Sequence, residues 1–178
     1  MFKLCVFLAL SVASCYGAPD RSTACGQIPG NMNRCLVLPP GVSHNIWQKC
    51  ETTQGECERL TCTFREYNLL DGEAINRERA TAFFGNYAKE NPVFTAAIEH
   101  VKTECLGSTP LEPRGVNLNC PVYDVLHCIY ANLIKHADPS QWTTSAECKR
   151  ARAFAASCPI CPDECFADNV PAGACNAC

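Results

Sequence analysis

Apolar residues recur at the spacing of a helix face in three segments, and no segment keeps the apolar–polar alternation of a strand. The three faces are, in chain order, Ala80, Phe83, Phe84 and Tyr87; Phe94, Ala97, Ile98, Val101 and Cys105; and Val122, Val125, Leu126, Ile129 and Leu133. Tyr123, Tyr130 and Ile134 widen the third face, which predicts that this helix is buried centrally.

Local signals set the expected helix bounds in the first part of the chain. Residues 18–40 contain several prolines and are expected to be irregular, after which Ser43 can cap a short helix through Cys50. A second helix is expected over about residues 57–68, followed by a turn and a long helix over residues 74–89.

Prolines divide the second part of the chain. Pro92 suits the first position of a helix over residues 92–105, and Pro121 opens the central helix. The intervening residues 106–119 are expected to form a loop. A capping-box sequence at residues 144–147 predicts a last helix that runs to Cys158.

The beginning of the chain has the features of a signal peptide. After Lys3, residues 4–12 form an uncharged apolar run that is too short to span a membrane. Cleavage after Gly17 is expected, leaving one secreted, extracellular domain over residues 18–178. A competing interpretation is a bacterial lipoprotein box over residues 12–15, which would place a lipid on Cys15.

The cysteine count points to an oxidising compartment. Of the sixteen cysteines, fourteen remain once Cys5 and Cys15 are removed, and this even number predicts a disulfide framework. The pairs Cys158–Cys161 and Cys175–Cys178 have zinc-ribbon spacing, but oxidised cysteine cannot supply thiolate ligands. We therefore expect no metal and no free thiol, with the cysteine-rich tail at residues 159–178 stapled onto the helices.

Charge and hydropathy make some partners less favourable than others. The formal charge of −3 becomes −4 without Lys3, from 14 basic and 18 acidic residues, which disfavours nucleic acid or an anionic membrane as the main partner. Beyond the first 17 residues, no apolar stretch approaches membrane-spanning length, so membrane insertion is not expected.

Motifs of catalysis are not found in the sequence. It contains no GxSxG, no HExxH and no phosphate-binding glycine loop, so neither an enzyme nor a cofactor is expected. The four histidines are scattered, and His127, in the apolar central helix, is interpreted as a hydrogen-bonded core residue.

Several segments together resemble one known family. Cys57-x4-Cys62 is followed by TFREYNLLDGEAIN and by a helical stretch ending in HVKTEC at Cys105, as in the middle of insect odorant-binding proteins. The late segment AECKRARAFAASCP is similar to the helix that carries the family's fifth and sixth cysteines. Pro159 and the additional cysteines resemble the Plus-C subgroup, and the resemblance covers about residues 35–178.

The resemblance implies a disulfide pattern as well as a fold. Carried over, the family's bridges would join Cys57 to Cys148, Cys105 to Cys158 and Cys35 to Cys62, with Cys25 as an alternative first cysteine. The spacings depart from the family, which usually has three residues between its second and third cysteines and eight between its fifth and sixth. Here the corresponding numbers are four and nine.

The combined expectation is an all-α, compact bundle of about six to seven helices around an apolar cavity. It would be a secreted carrier, monomer or homodimer, that reversibly binds small hydrophobic molecules such as odorant- or pheromone-like volatiles and delivers them to a membrane receptor. The expected lining is Phe83, Phe84, Tyr87, Phe94, Ile98, Val101, Tyr123, Leu126, Ile129, Tyr130 and Leu133. The alternatives are a secreted interaction or defence protein acting through its surface and tail, and a hydrolase whose site the motifs miss.

Overall fold

The structure, a computed structural model, describes residues 29–108, 111 and 120–158. These residues contain seven α-helices: α1 (Met32–Cys35), α2 (His44–Cys50), α3 (Glu56–Glu66), α4 (Arg77–Glu90), α5 (Thr95–His100), α6 (Pro121–Lys135) and α7 (Lys149–Ser157). The expected all-α architecture is therefore confirmed.

A short β-hairpin shifts the start of α4 from its expected position. Strands β1 (Leu70–Asp71) and β2 (Ala74–Ile75) pair antiparallel across a turn in which Gly72 has φ +62°. Since this conformation suits glycine, the turn forms where the sequence predicted one. The side chain of Asn76 then accepts a hydrogen bond from the Arg79 N–H at 2.8 Å, so the helix begins at residue 77 instead of 74.

The single helix expected over residues 92–105 is divided into three pieces. A 3₁₀ turn at Pro92–Phe94 leads into α5, which continues as a π-helical turn at Val101–Cys105. The Leu106 N–H donates to the Val101 carbonyl at 3.1 Å, the five-residue spacing of a π turn.

The last helix also starts differently from the expectation. A 3₁₀ turn at Ala146–Cys148 precedes α7, which ends at Ser157, and neither piece has a side-chain cap. The Ser43 side chain likewise makes no capping hydrogen bond to α2, although that helix has the expected bounds.

Helix α6 is the central element of the described core. Its residues Val122, Val125 and Ile129 belong to the cluster formed with α3, α4 and the π turn. Ile134, at its other end, packs in a second cluster with α1 and α7, and Leu133 contacts a third around Phe94. The central burial predicted from the wide apolar face of this helix is thus found.

Four disulfides connect described cysteines: Cys35–Cys148, Cys50–Cys62, Cys57–Cys120 and Cys105–Cys128. Cys158 is disulfide-bonded too. All six cysteines that the family pattern singled out are therefore oxidised, but the three pairs that it implied are wrong.

Helix packing explains why each of these cysteines has a partner other than the expected one. Helices α2 and α3 pack together, so Cys62 meets Cys50 instead of Cys35. Cys57, near the start of α3, lies against the start of α6 and pairs with Cys120 instead of Cys148. Contact between the π turn and α6 brings Cys105 to Cys128 instead of Cys158.

None of the described helices is long and apolar enough to cross a membrane. The expected signal peptide and the cysteine-rich tail at residues 159–178 lie outside the described residues.

Candidate functional site

A cavity of about 1060 Å³ opens between the helices. Its walls come from α1, α3, α4, α5, the π turn and α6, and from residues 36–43, which connect α1 to α2. This volume is slightly above the range of about 300–1,000 Å³ that is usual for small-molecule sites.

Nine of the eleven residues expected to line a cavity do so: Phe83, Phe84, Tyr87, Ile98, Val101, Leu126, Ile129, Tyr130 and Leu133. The other two do not belong to the lining. Phe94 is buried in a small cluster with Ala88 and Ile98, where its ring lies 5.5 Å from that of Tyr87. Tyr123 packs against the cluster that α6 forms with α3, α4 and the π turn. The centroid of its ring lies 6.2 Å from that of the His127 ring.

Several parts of the lining were missed from the sequence, among them Asn33 and Arg34 of α1 and Leu69. Helix α3 contributes Leu60 and Phe64, and Tyr67 directly follows the helix. Their i, i+4, i+7 spacing is a helix-face signal that could have identified them. The connection at residues 36–43, which we call the wall segment, has no periodic pattern that would place it over a cavity.

Both ends of the wall segment are fixed by long-range contacts. At its start, the Val37 N–H donates to the Gln141 carbonyl at 3.0 Å, and the Gln141 side chain donates back to the Val37 carbonyl at 2.7 Å. The adjacent Cys35–Cys148 bridge secures this end covalently. At its far end, the Ser43 N–H donates to the Tyr67 hydroxyl at 3.0 Å.

The apolar surface of the described residues is concentrated at this cavity. Six large apolar side chains are exposed, and four of them line the cavity: Val37, Val42, Phe83 and Leu126. Phe83 and Leu126 each remain 38% exposed although they lie on the inner faces of their helices. Apolar side chains that converge on one space and stay uncovered are typical of a binding surface.

The size of the cavity argues against a sealed and empty void. At about 24 cal/mol per Å³, a sealed and empty void of this volume would cost about 25 kcal/mol. That exceeds the entire unfolding free energy of about 5–15 kcal/mol that domains have. The cavity must therefore be open and filled, by water or by a ligand.

Polar groups in the lining are few and mostly satisfied within the protein. Thr63 Oγ1 donates to the Arg59 carbonyl at 2.9 Å, and the Tyr130 hydroxyl donates to Asn33 Oδ1 at 3.4 Å. Burial raises the pKa of Tyr130 and, in the same way, that of Tyr87. Both phenols are therefore neutral at physiological pH and leave the cavity uncharged on this side.

Arg34 supplies a charge at the edge of the lining. It is exposed, and no hydrogen bond or ion pair joins its guanidinium to another described residue. Among the described residues, no histidine, carboxylate or cysteine lines the cavity. Within the described part of the chain, the site therefore has an apolar interior with Arg34 as an available cation at its edge.

We expect Tyr67→Phe to loosen the wall segment, because it removes the acceptor of the Ser43 N–H and leaves the ring in place. One neutral hydrogen bond is worth about 0.5–1.5 kcal/mol, so dissociation of a bound apolar probe should be about two- to tenfold faster. Stopped-flow fluorescence measures this rate. Tyr123→Phe, on a tyrosine outside the lining, is the matched control, and an equal acceleration in both variants would contradict the anchoring role.

Neither a protein-family model nor a curated protein matches this chain.

Proposed function

We propose that this protein is a secreted carrier that reversibly binds small hydrophobic molecules in the cavity between its helices. The observation that carries the proposal is the open apolar space whose walls hold uncovered Phe83, Leu126, Val37 and Val42 side chains. A protein whose function was a surface contact alone would gain nothing from such an unfilled interior.

The affinity follows from the apolar surface that a ligand could bury. About 300 Å² of ligand surface at about 25 cal/mol per Å² gives a gross driving force of about 7–8 kcal/mol. A micromolar complex corresponds to −8.2 kcal/mol, and association costs reduce the gross value. Micromolar or weaker binding is expected, which suits a carrier that must release its ligand.

The kind of ligand is constrained by both size and charge. A water molecule occupies about 30 Å³ in the liquid, so the cavity has room for about thirty-five of them. One compact volatile molecule would displace fewer. A chain-like ligand could occupy more of the space, and an acidic head group could approach Arg34 at the edge. We infer that long amphipathic molecules with a carboxylate bind better than compact neutral ones.

Arg34→Gln tests this selectivity. An exposed charge pair is worth about 0.2–1 kcal/mol, so a long-chain carboxylic acid should lose up to about fivefold in affinity, and the matching primary alcohol should lose nothing. Competition against an apolar fluorescent probe gives both affinities. Arg65→Gln, also exposed but outside the lining, is the control variant. Equal changes in affinity for the acid and the alcohol would mean that Arg34 does not recognise the carboxylate.

The extracellular location and the odorant-binding family remain parts of this proposal. They are supported by the resemblance of the segments around Cys57 and Cys148, by the signal-like residues 1–17 and by the disulfides of the described residues. Delivery to a membrane receptor follows only from the family. N-terminal sequencing of the protein secreted by its native tissue, with residue 18 expected first, tests the location directly.

A further inference from the structure

A second group of polar side chains lies where the end of α5 approaches the end of α6. His100 is the last residue of α5, Glu104 lies in the π turn that follows, and His136 immediately follows α6. Each residue offers one nitrogen or oxygen atom, and these three atoms lie within 4.8 Å of one another. None of the three residues lines the cavity.

The contacts within this group are close and directed. His100 Nδ1 lies 2.7 Å from Glu104 Oε1. The His100 and His136 rings are stacked, with centroids 3.4 Å apart and planes inclined by only 6°. Three potential ligands from two elements far apart in sequence are therefore already assembled.

The backbone beneath the group is fixed. The Cys105–Cys128 disulfide joins the residue after Glu104 to the middle of α6. The buried Asn132 donates to the Cys128 carbonyl at 3.1 Å and lies 3.3 Å from Cys105 Sγ. These links hold the π turn against α6, so the backbone positions that carry Glu104 and His136 stay close together without help from the side-chain contacts.

We propose that His100, Glu104 and His136 form a binding site for a divalent transition-metal ion, with Zn²⁺ as the representative ion. Two imidazole nitrogens and one carboxylate oxygen are ligands that zinc accepts, and three protein ligands leave a fourth position open to water or an exogenous group. The sequence predicted no metal because its zinc pattern lay in cysteines, whereas these histidines are separated by 36 positions that only the fold brings together.

Metal binding requires the rings to leave their stack. A metal lies close to the plane of each imidazole it binds, and in a tetrahedral zinc site two ligand nitrogens are about 3.3 Å apart. Two imidazole rings stacked face to face cannot both have one metal ion close to their planes. His100 and Glu104 have side chains that are 43% and 53% exposed, which gives them room to turn toward a shared ion.

Calorimetric titration of the unreduced, tag-free protein with zinc chloride tests the proposal. The wild type should bind one ion per chain with a dissociation constant in the micromolar range. His136→Gln and Glu104→Gln should each weaken binding about tenfold or more, because each removes one of three ligands. His44→Gln, an exposed histidine at the start of α2, should bind as the wild type does.

Two results would overturn the proposal. One is a folded wild type, judged by circular dichroism, that binds zinc no more tightly than about 100 µM. The other is unchanged zinc affinity in Glu104→Gln or in a folded His136→Gln. Because Glu104 is exposed, its variant should fold normally and so keeps the test decisive if His136→Gln does not fold.

Discussion

Leu126→Ala is expected to weaken binding of an apolar ligand about five- to thirtyfold while changing the free energy of unfolding by less than about 1 kcal/mol. Leu126 lines the cavity and is 38% exposed, so its side chain has packing partners on only part of its surface. Losing roughly 1–2 kcal/mol of contact with the ligand gives the expected change in affinity. Little folding energy is lost, because a cavity wall already lacks neighbours on one side.

Ile134→Ala is the matched control for this experiment. It lies on the same helix, carries the same number of side-chain carbons and is 1% exposed in the cluster with α1 and α7, away from the lining. Its truncation should cost about 2–5 kcal/mol of stability and leave probe affinity nearly unchanged. Urea denaturation and probe titration measure the two quantities. Equal stability losses in both variants, without any loss of affinity in Leu126→Ala, would mean that Leu126 belongs to an ordinary core.

Among the four disulfides between described cysteines, removal of the Cys35–Cys148 bridge should cost the most stability. The bridge joins residues 113 positions apart, and losing a native disulfide of a small domain typically costs about 2–5 kcal/mol. The double variant Cys35→Ser/Cys148→Ser should also weaken ligand binding, because the bridge secures the start of the wall segment beside Val37. Denaturation midpoints and probe titrations of the folded protein measure both effects.

The Cys50–Cys62 disulfide is the control, because it lies in another part of the fold. It spans 12 positions and ties α2 to α3 without touching the start of the wall segment. Its double serine variant should lose stability by a smaller amount and retain more of the probe affinity. The role assigned to the Cys35–Cys148 bridge would be wrong if both variants lost affinity equally while remaining folded.

The sequence predicted the helices well because their apolar residues recur at helical spacing. The faces on α4, α5 and α6 were identified, and most of those residues do line the cavity. Periodicity shows which side of a helix is buried, but not whether that side meets other side chains or an open space. Phe94 and Ile98 belong to the same predicted face, yet only Ile98 reaches the cavity.

Long-range contacts could not be predicted in the same way. The position of the wall segment depends on the pairing of Val37 with Gln141, and neither residue signals this in its local sequence. The same limit applies to the disulfides, since an even cysteine count predicts oxidation but leaves the partners open. The family pattern assigned Cys57 to Cys148, whereas the packing of α3 on α6 gives it Cys120.

The central claim, a cavity that binds hydrophobic ligands, is tested most directly by titrating the folded, unreduced protein with an apolar fluorescent probe and then with a long-chain carboxylic acid. We predict one saturable site per chain, a dissociation constant in the micromolar range, and complete displacement of the probe by the acid. Native mass spectrometry of the same samples fixes the stoichiometry. Fluorescence that rises without saturating up to about 100 µM probe, with no one-to-one complex in the mass spectrum, would contradict the account.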